Sequence, residues 1–248
     1  MRLPLVAALC LAPLVVPAVA HADRRAFTHT YEYLTAPEGQ TEVELHTEQA
    51  RATWGDGAAE TYTFQLELEH GITDRWDIAL YHVFEQSSGA PGAAVDLHLA
   101  EIKLESRYRF AERGELPVDV VAYGELARGF GASVYEAEAK AILARDFGMA
   151  TVAANLIGEV EFGADVEEPE VEAGWAAGVT YEVSPTWKVG AESWGGFEVE
   201  EPEELSAWAG PAASWAPSAG LWVTATAGFG LNDESDRFVA SGLIGLNL

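Results

Sequence analysis

Between residues 61 and 70 the chain alternates strictly: Tyr62, Phe64, Leu66 and Leu68 are separated by Thr63, Gln65, Glu67 and Glu69. A strand turns successive side chains to opposite faces, so this period places one face in an apolar medium and the other in a polar one. Trp76, Ile78, Leu80 and Phe84 repeat the pattern against Asp77 and Glu85, and Gly71-Ile72-Thr73-Asp74-Arg75 supplies a tight turn between the two runs. The pair predicts a hairpin. The unit recurs, predicting strands near 40–50, 60–70, 76–86, 97–110, 117–127, 133–145, 149–162, 171–183, 187–198, 205–216, 220–230 and 236–248, twelve in all.

Compact turns at 73–75, 111–116, 146–148, 184–186 and 217–219 alternate with looser acidic or small-residue loops at 54–59, 87–95, 163–170, 199–204 and 232–236. Short turns at one end and longer loops at the other, on strands of about ten residues, match a barrel that crosses a bilayer. Aromatics sharpen the point. Trp76, Tyr108, Phe110, Tyr181, Trp187 and Trp215 fall near the turns, and Tyr62, Phe84, Tyr135, Phe162, Phe197 and Phe238 near the loops, as two interfacial girdles require. A soluble sandwich reproduces the alternation but not the two-ended aromatics, and it leaves long edge strands exposed. The fold class expected is all-β: a transmembrane, antiparallel, up-and-down β-barrel of about twelve strands. On this register an Arg at Leu66 meets lipid, whereas an Arg at Glu67 faces the lumen and inserts nearly normally.

Charge changes the picture next. Fourteen Lys and Arg oppose 40 Asp and Glu, a net −26, which disfavours nucleic acid as a partner. The carboxylates fall on the polar, lumen-lining face. Glu67 and Glu69, then Glu101 and Glu105, then Glu125, Glu136 and Glu138 lie there, followed by Glu159, Glu161, Glu182 and Glu192. The basic residues Lys103, Arg107, Arg109, Lys140 and Lys188 share that face. Opposed charges can set a field across a narrow pore or pair to fill the interior. Because acid exceeds base so strongly, a conducting path is expected to favour cations or polar neutral solutes.

Residues 1–22 read as a secretory signal: Arg2, an apolar stretch from Leu3 to Val19 broken by Pro4, Pro13 and Pro17, and Ala20-His21-Ala22 at the cleavage point. Cleavage there would start the chain at Asp23 and remove Cys10, its one cysteine, as suits an oxidising compartment. Residues 23–38, with Phe27, Tyr31 and Tyr33 among polar neighbours, precede the first strand. They are read as a periplasmic arm, a plug of the lumen or an extra strand, and residues 39–248 as the barrel.

Gly71-Ile72-Thr73-Asp74-Arg75-Trp76-Asp77, Tyr181-Glu182-Val183-Ser184-Pro185-Thr186-Trp187, Glu112-Arg113-Gly114-Glu115-Leu116-Pro117 and the closing Gly242-Leu243-Ile244-Gly245-Leu246-Asn247-Leu248 resemble Gram-negative outer-membrane barrels. Among these, the pattern over residues 30–248 is similar to the transporter-like family described as phenol-degradation meta-pathway proteins. The resemblance implies residence in the cell outer membrane and transport. Its partners would be outer-membrane lipid, the barrel-assembly machinery and a small-molecule permeant. The chain ends in Leu248 where the assembly signal usually carries Phe, although Phe238, Ala240, Gly242, Ile244 and Leu246 keep the alternation.

Motifs for other chemistry are sparse. Val166-Glu167-Glu168-Pro169-Glu170 and Val199-Glu200-Glu201-Pro202-Glu203 repeat 33 residues apart, but lack EF-hand spacing and read as solvated acidic loops rather than Ca²⁺ or Mg²⁺ sites. His29, His46, His70, His82 and His98 are scattered on strand positions, with no Gly-x-Ser-x-Gly elbow. No catalytic residue, metal site or cofactor is assigned, and no enzyme is expected. The expected function is an outer-membrane channel or uptake porin for small solutes. The alternatives are a closed barrel with a structural or surface-interaction role and, more remotely, a barrel-embedded hydrolase.

Overall fold

The computed structural model describes residues 25–55, 57–88 and 95–248; the proposed signal, its cleavage point and Cys10 lie outside them. Twelve strands follow one another: β1 (Thr41–Arg51), β2 (Glu60–Thr73), β3 (Trp76–Ser88), β4 (Val95–Arg109), β5 (Asp119–Gly129) and β6 (Val134–Phe147). The second half comprises β7 (Ala150–Gly163), β8 (Glu170–Ser184), β9 (Trp187–Glu198), β10 (Ser206–Ser218), β11 (Leu221–Gly230) and β12 (Phe238–Asn247). Each strand pairs antiparallel with its sequence neighbours, and β1 closes on β12 from Glu42↔Asn247 to Arg51↔Phe238. Closure leaves no free sheet edge, which is the condition for strands to stand in hydrocarbon. The last backbone amide, Leu248 N, donates to Thr41 O at 2.9 Å and ties the C-terminus to the start of the barrel.

Burial separates the two faces. Leu66 and Leu68 are 46% and 50% exposed on the outside, while Glu67 and Glu69, which alternate with them, are 2% and 5% exposed. The outer aromatics form two bands. Trp187 stacks on Trp215 and Tyr108 meets Phe110 near the turns, and Tyr135 stacks on Phe162 and Phe229 meets Phe238 near the loops. Strands reach 15 residues in β4 and β8, longer than the ten or so that a tilted crossing needs. A register shift in the β3–β4 pairing, where Val83 and Phe84 face Glu101 and Leu99, leaves Ala100 as an extra residue in β4.

The lumen is not the purely polar channel that strand alternation implies. Ala79, Tyr81 and Val83 on β3, and Val121, Tyr123, Ile142, Ala144 and Ala153 on β5 to β7, are buried on the inner face. They need a covering, and residues 25–36 provide it. This segment runs inside the barrel with Ala26 and Phe27 fully buried, Tyr33 2% exposed and Tyr31 9% exposed. Phe27, Tyr31 and Tyr33 join the cluster of Val121, Tyr123 and Ile142. One edge of the Phe27 ring lies against Gly178, where even a Cβ would stand 2.3 Å from Cε1, so glycine is required there.

Leu66→Arg should destabilise the barrel by about 2–4 kcal/mol, the cost of a cation on the lipid face near mid-membrane. Urea unfolding in lipid vesicles reads it. The companion expectation for Glu67→Arg needs correction, because Glu67 is 2% exposed and its Oε2 lies 3.1 Å from His46 Nε2, so the substitution removes a buried partner as well as reversing a charge. Glu161→Gln, near the loop end of β7, is the substitution that should leave unfolding unchanged.

Candidate functional site

The site is the lumen, and the inner segment divides it. From the turn end the chain enters at Ala36, whose N–H donates to Asp77 Oδ2 at 2.8 Å and Glu69 Oε1 at 3.2 Å. It rises to an apex at Thr28–Tyr31, midway along the strands, and returns to Arg25, whose carbonyl accepts from the hydroxyls of Ser214 and Thr224. Such a loop exposes backbone donors that a strand would have paired, and the wall satisfies them with side chains.

Glu192 on β9 does most of this. Its Oε1 accepts from Thr28 N at 3.0 Å, Thr28 Oγ1 at 2.8 Å and the Thr226 hydroxyl. Its Oε2 accepts from His29 N at 3.1 Å, Thr30 N at 3.0 Å and Thr30 Oγ1 at 3.1 Å. Asn155 on β7 holds the next residue as a strand would, its Oδ1 accepting from Tyr31 N at 2.7 Å and its Nδ2 donating to Tyr31 O at 2.9 Å. Glu32 folds back to accept from Ala26 N at 2.6 Å, and Lys188 stands 3.9 Å from it. The Tyr33 hydroxyl donates to Ala111 O at the turn end.

Cavities lie on both sides of the segment. On the loop side a vestibule of about 200 Å³ is floored by Arg25, Thr28, His29 and Tyr31 and walled by Lys103, Glu125, Glu136, Glu138, Lys140 and Glu159. On the turn side a chamber of about 300 Å³ is bounded by Leu34, Asp146, Met149, Glu182, Lys188 and Trp222. Lys103 pairs with Glu125 at 3.2 Å and Glu101 at 3.5 Å, and Lys140 pairs with Glu138 at 2.8 Å while standing over the rings of Tyr123 and Tyr31. Carboxylates therefore outnumber the ammonium groups in the vestibule wall. Glu161, opposite Glu136 in the register, extends the acidic wall toward the loops.

Deeper in, Arg107 organises the carboxylates. It makes a two-pronged contact to Asp77 at 3.1 and 2.8 Å, reaches Glu105 at 3.1 Å and pairs with Glu69. Glu105 also accepts from the Tyr81 hydroxyl at 2.6 Å and the Tyr31 hydroxyl at 3.3 Å. Arg109 lies at the turn end, donating to Asp74 O and standing 5.5 Å over the Tyr33 ring. The structure thus separates the sequence-predicted residues into three groups. Glu101, Lys103, Glu125, Glu136, Glu138, Lys140, Glu159 and Glu161 belong to the vestibule, Glu67, Glu69, Glu105 and Arg107 to the buried wall, and Glu182 and Lys188 to the chamber, while Glu192 binds the inner segment.

The alternation set Glu44 and Asp77 on the polar face without giving either a role, left His29 and His46 as scattered histidines, and did not single out Arg25 or Asn155. His29 stacks on Trp194 at 3.7 Å, and Trp194 on Trp208 at 6.1 Å, which extends an aromatic wall from the apex toward the loops. Asn155 carried a signal of its own: it is the one amide in the run Ala153-Ala154-Asn155-Leu156-Ile157. The acidic repeats around Glu167–Glu170 and Glu200–Glu203 stay exposed.

Neither a protein-family model nor any curated protein sequence matches the chain, so the narrower likeness to phenol-degradation proteins rests on its motifs alone. Solved structures do match. The KdgM porin superposes with a TM-score of 0.55 at 8% identity, over 83% of this chain and 97% of that one. The NanC porin gives 0.53 at 9% identity with the same coverages, and the β domain of the Bordetella autotransporter BrkA 0.55 at 12%, over 84% and 98%. The chain has the fold of these outer-membrane barrels. At such identities the likeness is one of architecture.

Proposed function

We propose that this protein is an outer-membrane channel for small cations and polar neutral solutes, whose lumen is narrowed by its own N-terminal segment. The observation that carries the reading is the vestibule: a water-accessible cavity, floored by the inner segment, whose carboxylates outnumber their ammonium partners. The apolar outer belt and its two aromatic bands support a seat in the outer membrane, with the turns toward the periplasm and the loops outside. The porin-like architecture supports transport over catalysis. The acidic wall supplies the selectivity, because fixed carboxylates raise the local concentration of cations over about a Debye length, near 8 Å at physiological ionic strength.

A single-channel recording in a planar bilayer tests this. K⁺ should be preferred over Cl⁻ in the reversal potential, Glu136→Gln with Glu138→Gln should reduce the preference, and high salt should blunt it. Anion preference would overturn the reading of the vestibule. A second reading, a closed barrel with a structural role, is favoured by the tightness with which Glu192 and Asn155 hold the segment. Folded barrels that never conduct, with the segment present or deleted, would decide for it.

A further inference from the structure

On the wall beside the vestibule floor, two strands bring together a constellation that solute selection does not use. Glu44 and His46 lie two residues apart on β1 and so project from one face, and the β1–β2 register, with Glu44 opposite Glu67, sets Glu67 beside them. His46 Nε2 lies 3.1 Å from Glu44 Oε2 and 3.1 Å from Glu67 Oε2, and all three ligand atoms lie within 4.8 Å of one another. Ligand atoms about 2.1 Å from a tetrahedral metal are separated from one another by about 3.4 Å, so the nitrogen and the two oxygens already stand near the spacing of three corners. We propose that Glu44, His46 and Glu67 form a binding site for a divalent transition-metal ion of the Zn²⁺ class.

Three features beyond the cluster point the same way. A single Nε2 carries at most one hydrogen, yet two carboxylates approach it at 3.1 Å, so hydrogen bonding serves both poorly whereas a cation serves all three groups. The surrounding wall is short of positive charge. Glu44, Glu67, Glu69, Asp77 and Glu105 are each at most 5% exposed, and the guanidiniums of Arg25 and Arg107 are what pair with them among the described residues. Arg25 stands 3.9 Å from Glu44 Oε2, beyond hydrogen-bonding distance, and its own Nε is buried without a partner. Uncompensated carboxylates in a confined wall are costly, and a divalent ion offsets that cost.

The third feature is access. His46 borders both the vestibule and an adjoining pocket of about 80 Å³ lined by His29, Thr47, Glu48, Gln65 and Ser241. The cluster is thereby within reach of water through His46, and the acidic vestibule concentrates cations in front of it. Imidazole with two carboxylates suits Zn²⁺, Co²⁺ or Ni²⁺, whereas Ca²⁺ prefers six or more oxygens, so the site should discriminate against Ca²⁺.

The test needs no conduction and so stands apart from the channel reading. Zn²⁺ is titrated calorimetrically into the full chain folded in detergent, with folding checked by heat-modifiable gel migration. One equivalent should bind and resist excess Ca²⁺. His46→Gln and Glu67→Gln, both close in shape to the native residues, should weaken it more than about tenfold, the least that even an outer-shell change costs a zinc site. Glu200→Gln, in an exposed loop away from the lumen, should leave the affinity unchanged. Should either variant fail to fold, Co²⁺ on the unsubstituted chain still decides: intense visible bands of a four-coordinate site support the assignment, and the faint spectrum of hydrated Co²⁺ overturns it. Equal Zn²⁺ affinity in His46→Gln, or no bound equivalent in the folded unsubstituted chain, likewise overturns it.

Discussion

Deleting residues 25–36 is expected to raise single-channel conductance severalfold while leaving a folded barrel. The segment crosses the lumen at mid-height and separates vestibule from chamber, so its removal joins the two cavities into one aqueous path. Glu192→Ala should approach the same state without shortening the chain. That carboxylate accepts six hydrogen bonds, five of them from Thr28, His29 and Thr30, and three of these come from backbone N–H groups. Buried donors left without an acceptor cost about 1–3 kcal/mol each, so the docked segment should lose several kcal/mol. Every 1.4 kcal/mol is a factor of about ten in population, which is enough to turn a rare undocked state into a common one. Open-channel noise in Glu192→Ala and a steady high conductance in the deletion are the expected records. Unchanged conductance in both would mean that permeation, if any, bypasses the lumen.

The contrast between what alternation revealed and what it hid has a physical cause. Period two identifies every strand of a barrel whose outside meets lipid, which is why Leu66, Leu68 and the girdle pairs Trp187–Trp215 and Tyr135–Phe162 were legible from the chain. It assigns a side chain to a face but says nothing of what stands opposite. Glu136 and Glu192 look alike in sequence, both acidic and both inward. One borders an open vestibule, and the other is 2% exposed and devoted to a segment 162 residues away. Tyr123, Ile142 and Val121 also point inward, and an apolar inner face makes sense only once Phe27 and Tyr31 cover it. The segment itself has no periodicity to read, because it is a loop held by wall side chains rather than a strand held by a neighbour. His46 was passed over for a similar reason: its partner Glu67 comes from the next strand, and only the register joins them.

Arg107→Met should cost the barrel about 3–5 kcal/mol, the price of breaking a buried ion pair from one side. Arg107 is 5% exposed and holds Asp77, Glu69 and Glu105 together, and a methionine of similar length fills the space but leaves the carboxylates facing one another. The damage should reach the inner segment as well, since Ala36 N–H depends on the same Asp77 and Glu69 oxygens. Two features set this apart from lost packing. Asp77→Asn in the Arg107→Met background should restore part of the loss, giving a coupling of about 0.5–3 kcal/mol in a double-mutant cycle. High salt should restore little, because groups this deep are poorly reached by mobile ions. Urea midpoints in lipid vesicles measure all three variants. A loss below about 1 kcal/mol for Arg107→Met, the range of an exposed pair, would show that the cluster is hydrated and that the wall around Glu69 and Glu105 is more open than its burial implies.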